Sequence, residues 1–302
     1  MEIRHIRYFL AIAAERSFTR AAERVGIGQP PLSLQIRDLE REVGARLFHR
    51  IPQGAELTAA GQAFYDHVHR LPQQIEQAVR AAQRADRGEL GALRIGFTAS
   101  AHFNGTLTSV VGHFSARYPD VELTLDESNT TKLGTALASG ALDLAFLRPY
   151  PTLSDGVELL TVADEPLVAA LPAQHRLARK RGLRLRQLAD EAFVLTPREI
   201  GFTLHDTILE ACRDAGFEAR LGQPAPQLAS ILSLVAAGIG VSLVPDSIRH
   251  LHVGGVVFRK LPDLTTSAKL ALAWRRSDLS PFVRNFVESA RASLASAAAT
   301  RR

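Results

Sequence analysis

Gln29, Ser33, Arg37 and Arg41 recur at every fourth position, and Leu34 lies beside Ser33. On a helix, residues spaced by three or four share one face, and these five make its outward face. Glutamine pairs with adenine edges, arginine with guanine or phosphate, and serine with either. Pro30 stands in the same first turn, and Arg50 and Gln53 follow on a segment that turns at Pro52 and Gly54. Taken together, this is the chemistry of reading a DNA duplex. Singly, each residue is also what any solvated helix face carries, so the elements around them have to decide.

A second set of residues follows the ends of apolar runs. Thr98 and Ser100 come directly after the run at 93–97, with Ala101 and Phe103 beyond them, and Thr130 opens a helical stretch. Arg148 ends the run at 142–147 as a fixed positive charge at a cleft mouth, and Pro197, Phe202 and Thr203 precede a further helix. In open α/β sheets, ligands sit beyond the carboxyl ends of strands, where hydroxyls and helix N–H groups hold anions. The set suits a small carboxylate with an apolar or aromatic body. Helix capping by Ser100 and Thr130, and an ion pair between lobes for Arg148, are the alternatives.

The elements that position both sets change character along the chain. Ile6, Phe9, Leu10 and Ala13 form a helical stripe, and Ser17 can cap a second helix through about Val25. Gly26-Ile27-Gly28 is a tight turn. The third helix runs from about Gln29 to Val43, with Leu32, Ile36, Leu39 and Val43 inward, Pro30 and Pro31 in its first turn and Gly44 ending it. Residues 47–58 read as a hairpin. Three helices, a turn before the third, and a hairpin make a winged helix-turn-helix, in which the third helix enters the major groove. A long helix is predicted over 58–87, kinked at Pro72. Its apolar seam of Phe64, Val68, Leu71, Ile75 and Val79 suits dimerisation with one partner helix. Beyond Gly88, strand and helix patterns alternate to residue 297, which predicts mostly parallel sheets in two lobes with a cleft between them.

Composition narrows the classes. Of 302 residues, 46% are hydrophobic and 22% charged, as in a folded globular protein. No run is long enough to span a bilayer, and the first residues lack a signal peptide's apolar core. The single cysteine, Cys212, excludes an internal disulfide. These features predict a cytoplasmic protein without membrane partners. The net charge of +5 is too small to argue for nucleic acid. Catalytic signals are missing: there is no G-x-S-x-G elbow, and Gly238-Ile239-Gly240 precedes its strand instead of following one. His67 and His69 are two apart on a helix and face different ways, and Cys212 falls at a core spacing with Leu204 and Ile208. No cofactor, metal site or enzymatic activity is predicted.

In order along the chain, Ile6-Arg7-Tyr8-Phe9, Ser17-Phe18-Thr19-Arg20-Ala21-Ala22, Gln29-Pro30-Pro31-Leu32-Ser33, Gly44-Ala45-Arg46-Leu47-Phe48 and Leu57-Thr58-Ala59-Ala60-Gly61 resemble a LysR-type transcriptional regulator. The likeness continues through Leu93-Arg94-Ile95-Gly96-Phe97 and the segment 235–245. The subgroup most resembled controls aromatic-acid and related catabolic operons, as in benzoate-, muconate- and chlorocatechol-responsive regulators. The resemblance implies a winged helix-turn-helix at 1–58, a linker and dimerisation helix at 59–88, and a two-lobed α/β effector domain like periplasmic binding proteins at 89–302. Lobe I would take about 92–162 and 268–302, and lobe II about 163–267. It further implies promoter or operator DNA, a small-molecule effector, RNA polymerase and a homodimer or homotetramer as partners. Positions matching Ser100, Thr130, Arg148 and the segment near Phe202 line the effector pocket in such regulators. Three departures stand out: Leu34 where many members have Arg, Gln53 where a basic wing residue is common, and Gly28 in place of a capping Ser or Thr. A stand-alone binding protein and a double-lobed enzyme are the alternative readings.

Overall fold

The computed structural model describes residues 1–52, 54–150, 153 and 156–300. The chain divides into two compact units, Met1–Gln83 and Arg84–Arg302.

Unit 1 opens with α1 (Ile3–Glu15), α2 (Phe18–Val25) and α3 (Gln29–Val43). The Ser17 hydroxyl accepts from the Arg20 N–H at the start of α2. Gly28 precedes α3 without any side-chain cap, so prolines in the first turn lessen the number of N–H groups left over. Gly44 closes α3 in the left-handed region. Phe9, Ile12, Leu32, Ile36, Leu39 and Leu47 are fully buried and hold the three helices together. Val43, expected on the inner stripe, is 38% exposed, because the last turn of α3 extends past this core.

The hairpin is β1 (Phe48–Ile51) paired antiparallel with β2 (Gly54–Leu57). Gly54 must be glycine: a Cβ there would stand 2.1 Å from the Arg16 carbonyl, the oxygen that accepts the Ala55 N–H. The turn end of the hairpin is therefore fastened to the α1–α2 corner. After it come α4 (Ala59–Val68) and α5 (Leu71–Asp86). The expected single helix is two, interrupted at His69 and Arg70. Pro72 has no N–H for the Val68 carbonyl and its ring would clash with that group, so the helix stops and restarts with Pro72 in a first turn.

Unit 2 carries β3 (Gly91–Phe97), α6 (Gly105–Arg117), β4 (Val121–Glu127), α7 (Thr130–Ala138), β5 (Leu144–Leu147) and the 16-residue β6 (Val157–Pro172). Then follow β7 (Ala192–Phe193), α8 (Arg198–Asp214), β8 (Arg220–Leu221), α9 (Leu228–Ala236), β9 (Ser242–Pro245), β10 (Val256–Lys260), β11 (Ser267–Arg275) and α10 (Pro281–Thr300). Strand order in the main sheet is β10-β6-β11-β5-β3-β4, with β9 also on β6. Only β3 pairs in parallel here, with β4 and β5; β6 and β11 pair antiparallel with all their neighbours. This corrects the mostly parallel expectation, and chain direction explains it. The first ten residues of β6 pair with β11, and its later residues lie in a different core. β11 is the return path, and a return strand beside an outgoing one must run against it.

Two cores result. Leu93, Ile95, Phe114, Phe146, Trp274 and Phe286 build one around β3, α6 and α10. Leu167–Leu171, Phe193, Ile208, Cys212, Leu232 and Val244 build the other around α8 and α9. Among the described residues no helix is long and apolar enough to cross a membrane.

Candidate functional site

The exposed face of α3 presents Gln29, Pro30, Leu34, Arg37 and Arg41. Arg41 pairs with Asp38 at 3.0 Å, one turn back, and stays largely in solvent. Ser33 is corrected: it is buried, and its hydroxyl accepts from the Gln29 side-chain amide at 3.1 Å. It therefore orients Gln29 and does not itself face outward. Arg50 leaves β1 with its guanidinium 4.8 Å from the centre of the Phe18 ring, a cation–π contact that fixes its direction. Gln53 lies outside the described residues.

Between α3 and β1 runs a groove of about 850 Å³ lined by Arg37, Arg41, Arg46, His49 and Arg50, with Glu40 the acid among them. Glu40 is occupied: one of its oxygens accepts the backbone N–H of Leu47 at 2.7 Å and of Phe48 at 3.2 Å. That carboxylate ties the third helix to the hairpin, and four arginines outweigh its single negative charge in the groove. Arg46 and His49 were missed in the sequence reading. The signal was there in Arg46-Leu47-Phe48-His49-Arg50, three basic or imidazole side chains in five residues around two buried ones.

The apolar seam after the hairpin divides. Phe64 packs edge-on to Phe9 with ring centres 5.0 Å apart, Val68 is 6% exposed, and Leu71 packs against the same core. Phe64 and Val68 therefore complete their own unit and are not free for a partner helix. The break at His69–Arg70 is what lets α4 close over that core. Ile75 and Val79 are exposed, Val79 by 51%.

In unit 2, a cleft of about 390 Å³ opens between the two cores. Thr98, Ser100, Thr130, Arg148 and Thr203 all line it, although they come from four separate places in the chain. Arg148 is 4% exposed and lies at the floor, not at the mouth as expected. Its Nε donates to the Ser100 hydroxyl at 3.1 Å and its Nη1 to the Lys269 carbonyl at 3.3 Å. Its Nη2 stands 3.8 Å from Glu165 Oε1, too far for a hydrogen bond, and both atoms are buried without a hydrogen-bond partner among the described residues. Burial pushes the Arg148 guanidinium down from its ordinary value, and the charge of Glu165 opposes this. The Ser100 hydroxyl also lies 3.2 Å from that of Thr98, and the Thr203 hydroxyl is buried without a hydrogen-bond partner among the described residues.

Ser100 serves Arg148 and is no helix cap. Thr130 is the first residue of α7, whose cap is Asn129, accepting from the Lys132 N–H. Ala101 and Pro197 do not line the cleft: Ala101 is buried in the first core, and Pro197 precedes α8. Phe103 packs against the second core. The backbone of Phe202 is in α8 and its side chain is outside the described residues. Lys132 and Gln227 line the cleft and were missed. Gln227 immediately precedes α9, an apolar helix whose start carried no polar motif to mark it. The apolar lining comes mostly from the second lobe, from Ile200, Leu204, Pro226 and Leu228, with Ala99 from the first.

Other reactive side chains have structural surroundings. Cys212 is fully buried, and burial, with a smaller effect of Glu218, pushes its thiol up to about 12. His67 and His69 each contact the backbone carbonyl one turn back, Ala63 and Tyr65 respectively.

Comparison with known proteins agrees with this layout. Residues 3–62 match the bacterial regulatory helix-turn-helix protein, lysR family, and residues 86–295 match the LysR substrate binding domain. The HTH-type transcriptional regulator BudR of Raoultella terrigena is 38% identical over 288 residues, covering 95% of this chain and 99% of BudR. AlsR of Bacillus subtilis, also an HTH-type transcriptional regulator, is 36% identical over 287 residues, covering 95% and 94%. Full-length CbnR, crystallised with its target DNA, superposes with a TM-score of 0.86 at 25% identity, covering 97% of this chain and all of that one. The chain belongs to the LysR family and is a DNA-binding transcriptional regulator with a substrate-binding domain, not an enzyme.

Proposed function

We propose that the effector is a small organic carboxylate, aromatic or short aliphatic, held in the cleft of unit 2. Its charged end faces Thr98, Ser100, Thr130 and Arg148, and its apolar body rests on the second lobe's Ile200, Leu204 and Leu228. Thr203 donates from the opposite wall. One observation carries this reading: Arg148, a buried cation, lines the cleft together with the hydroxyl residues Thr98, Ser100 and Thr130. A carboxylate accepts hydrogen bonds from such hydroxyls and is attracted by the guanidinium behind them. The aromatic-acid and catabolic-operon subgroup is the corresponding assignment.

The DNA reading is proposed for Gln29, Pro30, Leu34, Arg37 and Arg41 in the major groove, with Arg50 and the hairpin on the backbone. Residues 1–58 are the reading head, 59–88 the linker and 89–302 the sensor of a cytoplasmic homodimer or homotetramer. Ile75 and Val79 are the dimerisation contacts that remain exposed. Pairing matters because one module makes few phosphate contacts, whereas a two-fold assembly reads two half-sites.

Isothermal titration of the full-length protein with benzoate, muconate and a series of short aliphatic acids tests the effector assignment. The wild type should bind at least one of them. Ser100→Ala and Thr203→Val should each weaken that binding about fivefold, the loss of one ordinary hydrogen bond. No binding across the series, or affinities untouched by Ser100→Ala, Thr203→Val and Arg148→Lys alike, would sink the assignment.

A further inference from the structure

The outward face of α3 is not uniformly polar. At about 100° per residue, the buried Leu32, Ile36 and Leu39 mark the direction of the core, and Leu34 falls about 200° from Leu32, on the opposite side. Pro30, Arg37 and Arg41 lie within about 60° of Leu34, whereas Gln29 and Ser33 sit on a flank nearer the core. Burial follows the same division: Ser33 is covered and holds Gln29, while Leu34 is 54% exposed. The ridge that stands farthest from the core therefore has an apolar N-terminal half, Pro30 and Leu34, and a charged C-terminal half, Arg37 and Arg41 with Asp38 paired to Arg41.

A recognition helix touches base edges chiefly with its N-terminal residues. In the major groove, the apolar feature of a base-pair edge is the C5-methyl group of thymine; the other features are hydrogen-bond donors and acceptors. A leucine at the crest of the ridge cannot hydrogen-bond, and placed against a donor or acceptor it would strip water without replacement. We propose that Leu34 is a specificity-determining residue that reads thymine 5-methyl groups in the operator, one in each half-site. The inference rests on the proposal that α3 enters the major groove. Pro30 widens the apolar contact, and Arg37 and Arg41 supply guanine or phosphate contacts beside it.

The test uses the full-length protein and the intergenic DNA beside its gene, with the protected region mapped by footprinting. Synthetic duplexes of that region then carry deoxyuridine in place of each thymidine in turn, which deletes one methyl group and no hydrogen bond. In gel-shift titrations, at least one substitution per half-site should weaken the wild type about fourfold, the worth of burying one methyl group. The same substitutions should have no effect on Leu34→Ala and keep their effect on Leu34→Met. A deoxyuridine scan that leaves wild-type affinity flat, or that weakens Leu34→Ala equally, overturns the proposal. Arg37→Ala separates that outcome from failure of the underlying reading. If α3 faces DNA, Arg37→Ala lowers affinity at low salt whatever the scan shows. If Arg37→Ala changes nothing, α3 is not the reading element and the proposal for Leu34 falls with it.

Discussion

The two units build their sites in opposite ways. Unit 1 places its candidate contacts on the side of one helix that faces away from a small core, where Leu34, Arg37 and Arg41 are solvated and hold up no structure. Unit 2 places its contacts between two cores, where Arg148 is enclosed and held by Ser100 and the Lys269 carbonyl. An exposed site can vary without disturbing the fold beneath it. A buried one is part of the fold, so changes there affect binding and stability together. The contrast suits a regulator whose reading face meets a large polyanion and whose sensor encloses a small molecule.

The sharpest way to break this comparison is to remove the enclosed charge. Arg148→Met should leave Glu165 buried and unpaired and cost about 3–5 kcal/mol in denaturant unfolding of the isolated transition of unit 2. Adding Glu165→Gln should recover part of that loss. An unchanged transition midpoint in Arg148→Met would show that the floor is not structural.

Next in size is the divided seam. Val68→Glu should destabilise unit 1 by about 3 kcal/mol or more, because it forces a carboxylate into a filled core. Val79→Glu should leave monomer stability within about 0.5 kcal/mol of wild type and shift sedimentation toward smaller species. Equal thermal shifts for the two variants would erase the distinction drawn at the helix break.

A smaller effect is expected on the exposed side. Arg37→Ala should leave the melting curve unchanged and, if Arg37 meets a phosphate, reduce the slope of log affinity against log salt by about 1. A large drop in melting temperature would place Arg37 among the structural residues instead.

The smallest concerns Cys212. With its thiol raised to about 12, it should resist iodoacetamide at pH 8.5 in the native protein and react only once the chain is unfolded. Its folded value lies above the ordinary 9.0, so the unfolded chain releases the proton first. The stability it contributes is therefore complete below pH 9 and is lost as pH rises from there toward 12. Rapid native labelling would contradict its placement in the second core.

Legibility differed between the units for the same reason that their sites differ. The outward face of α3 could be read from spacing alone, since a helix's own period decides which residues oppose its core. Ser33 was the exception, because its hydroxyl is satisfied by Gln29 one turn earlier and spacing carries no information about hydrogen bonding. Phe64 and Val68 fit the partner-helix seam equally well on paper. Whether they face a partner or their own domain turned on the two-residue interruption before Leu71. In unit 2, Thr98, Ser100, Thr130 and Arg148 were legible as polar residues at the ends of apolar runs. Lys132 and Gln227 were not, and neither was the depth of Arg148.

By itself, the sequence determined the order of the elements, the family motifs, the polarity of the third helix's outer face and the absence of a catalytic motif. These are local properties, set by periodicity, caps and residue chemistry within a few turns. Only the tertiary structure decided that β6 and β11 run antiparallel through two cores, that Phe64 and Val68 are occupied, and that Arg148 lies buried at the bottom of a cleft. Each of those depends on which distant segment covers a residue, and burial of that kind is a property of the assembled chain, not of any stretch of it.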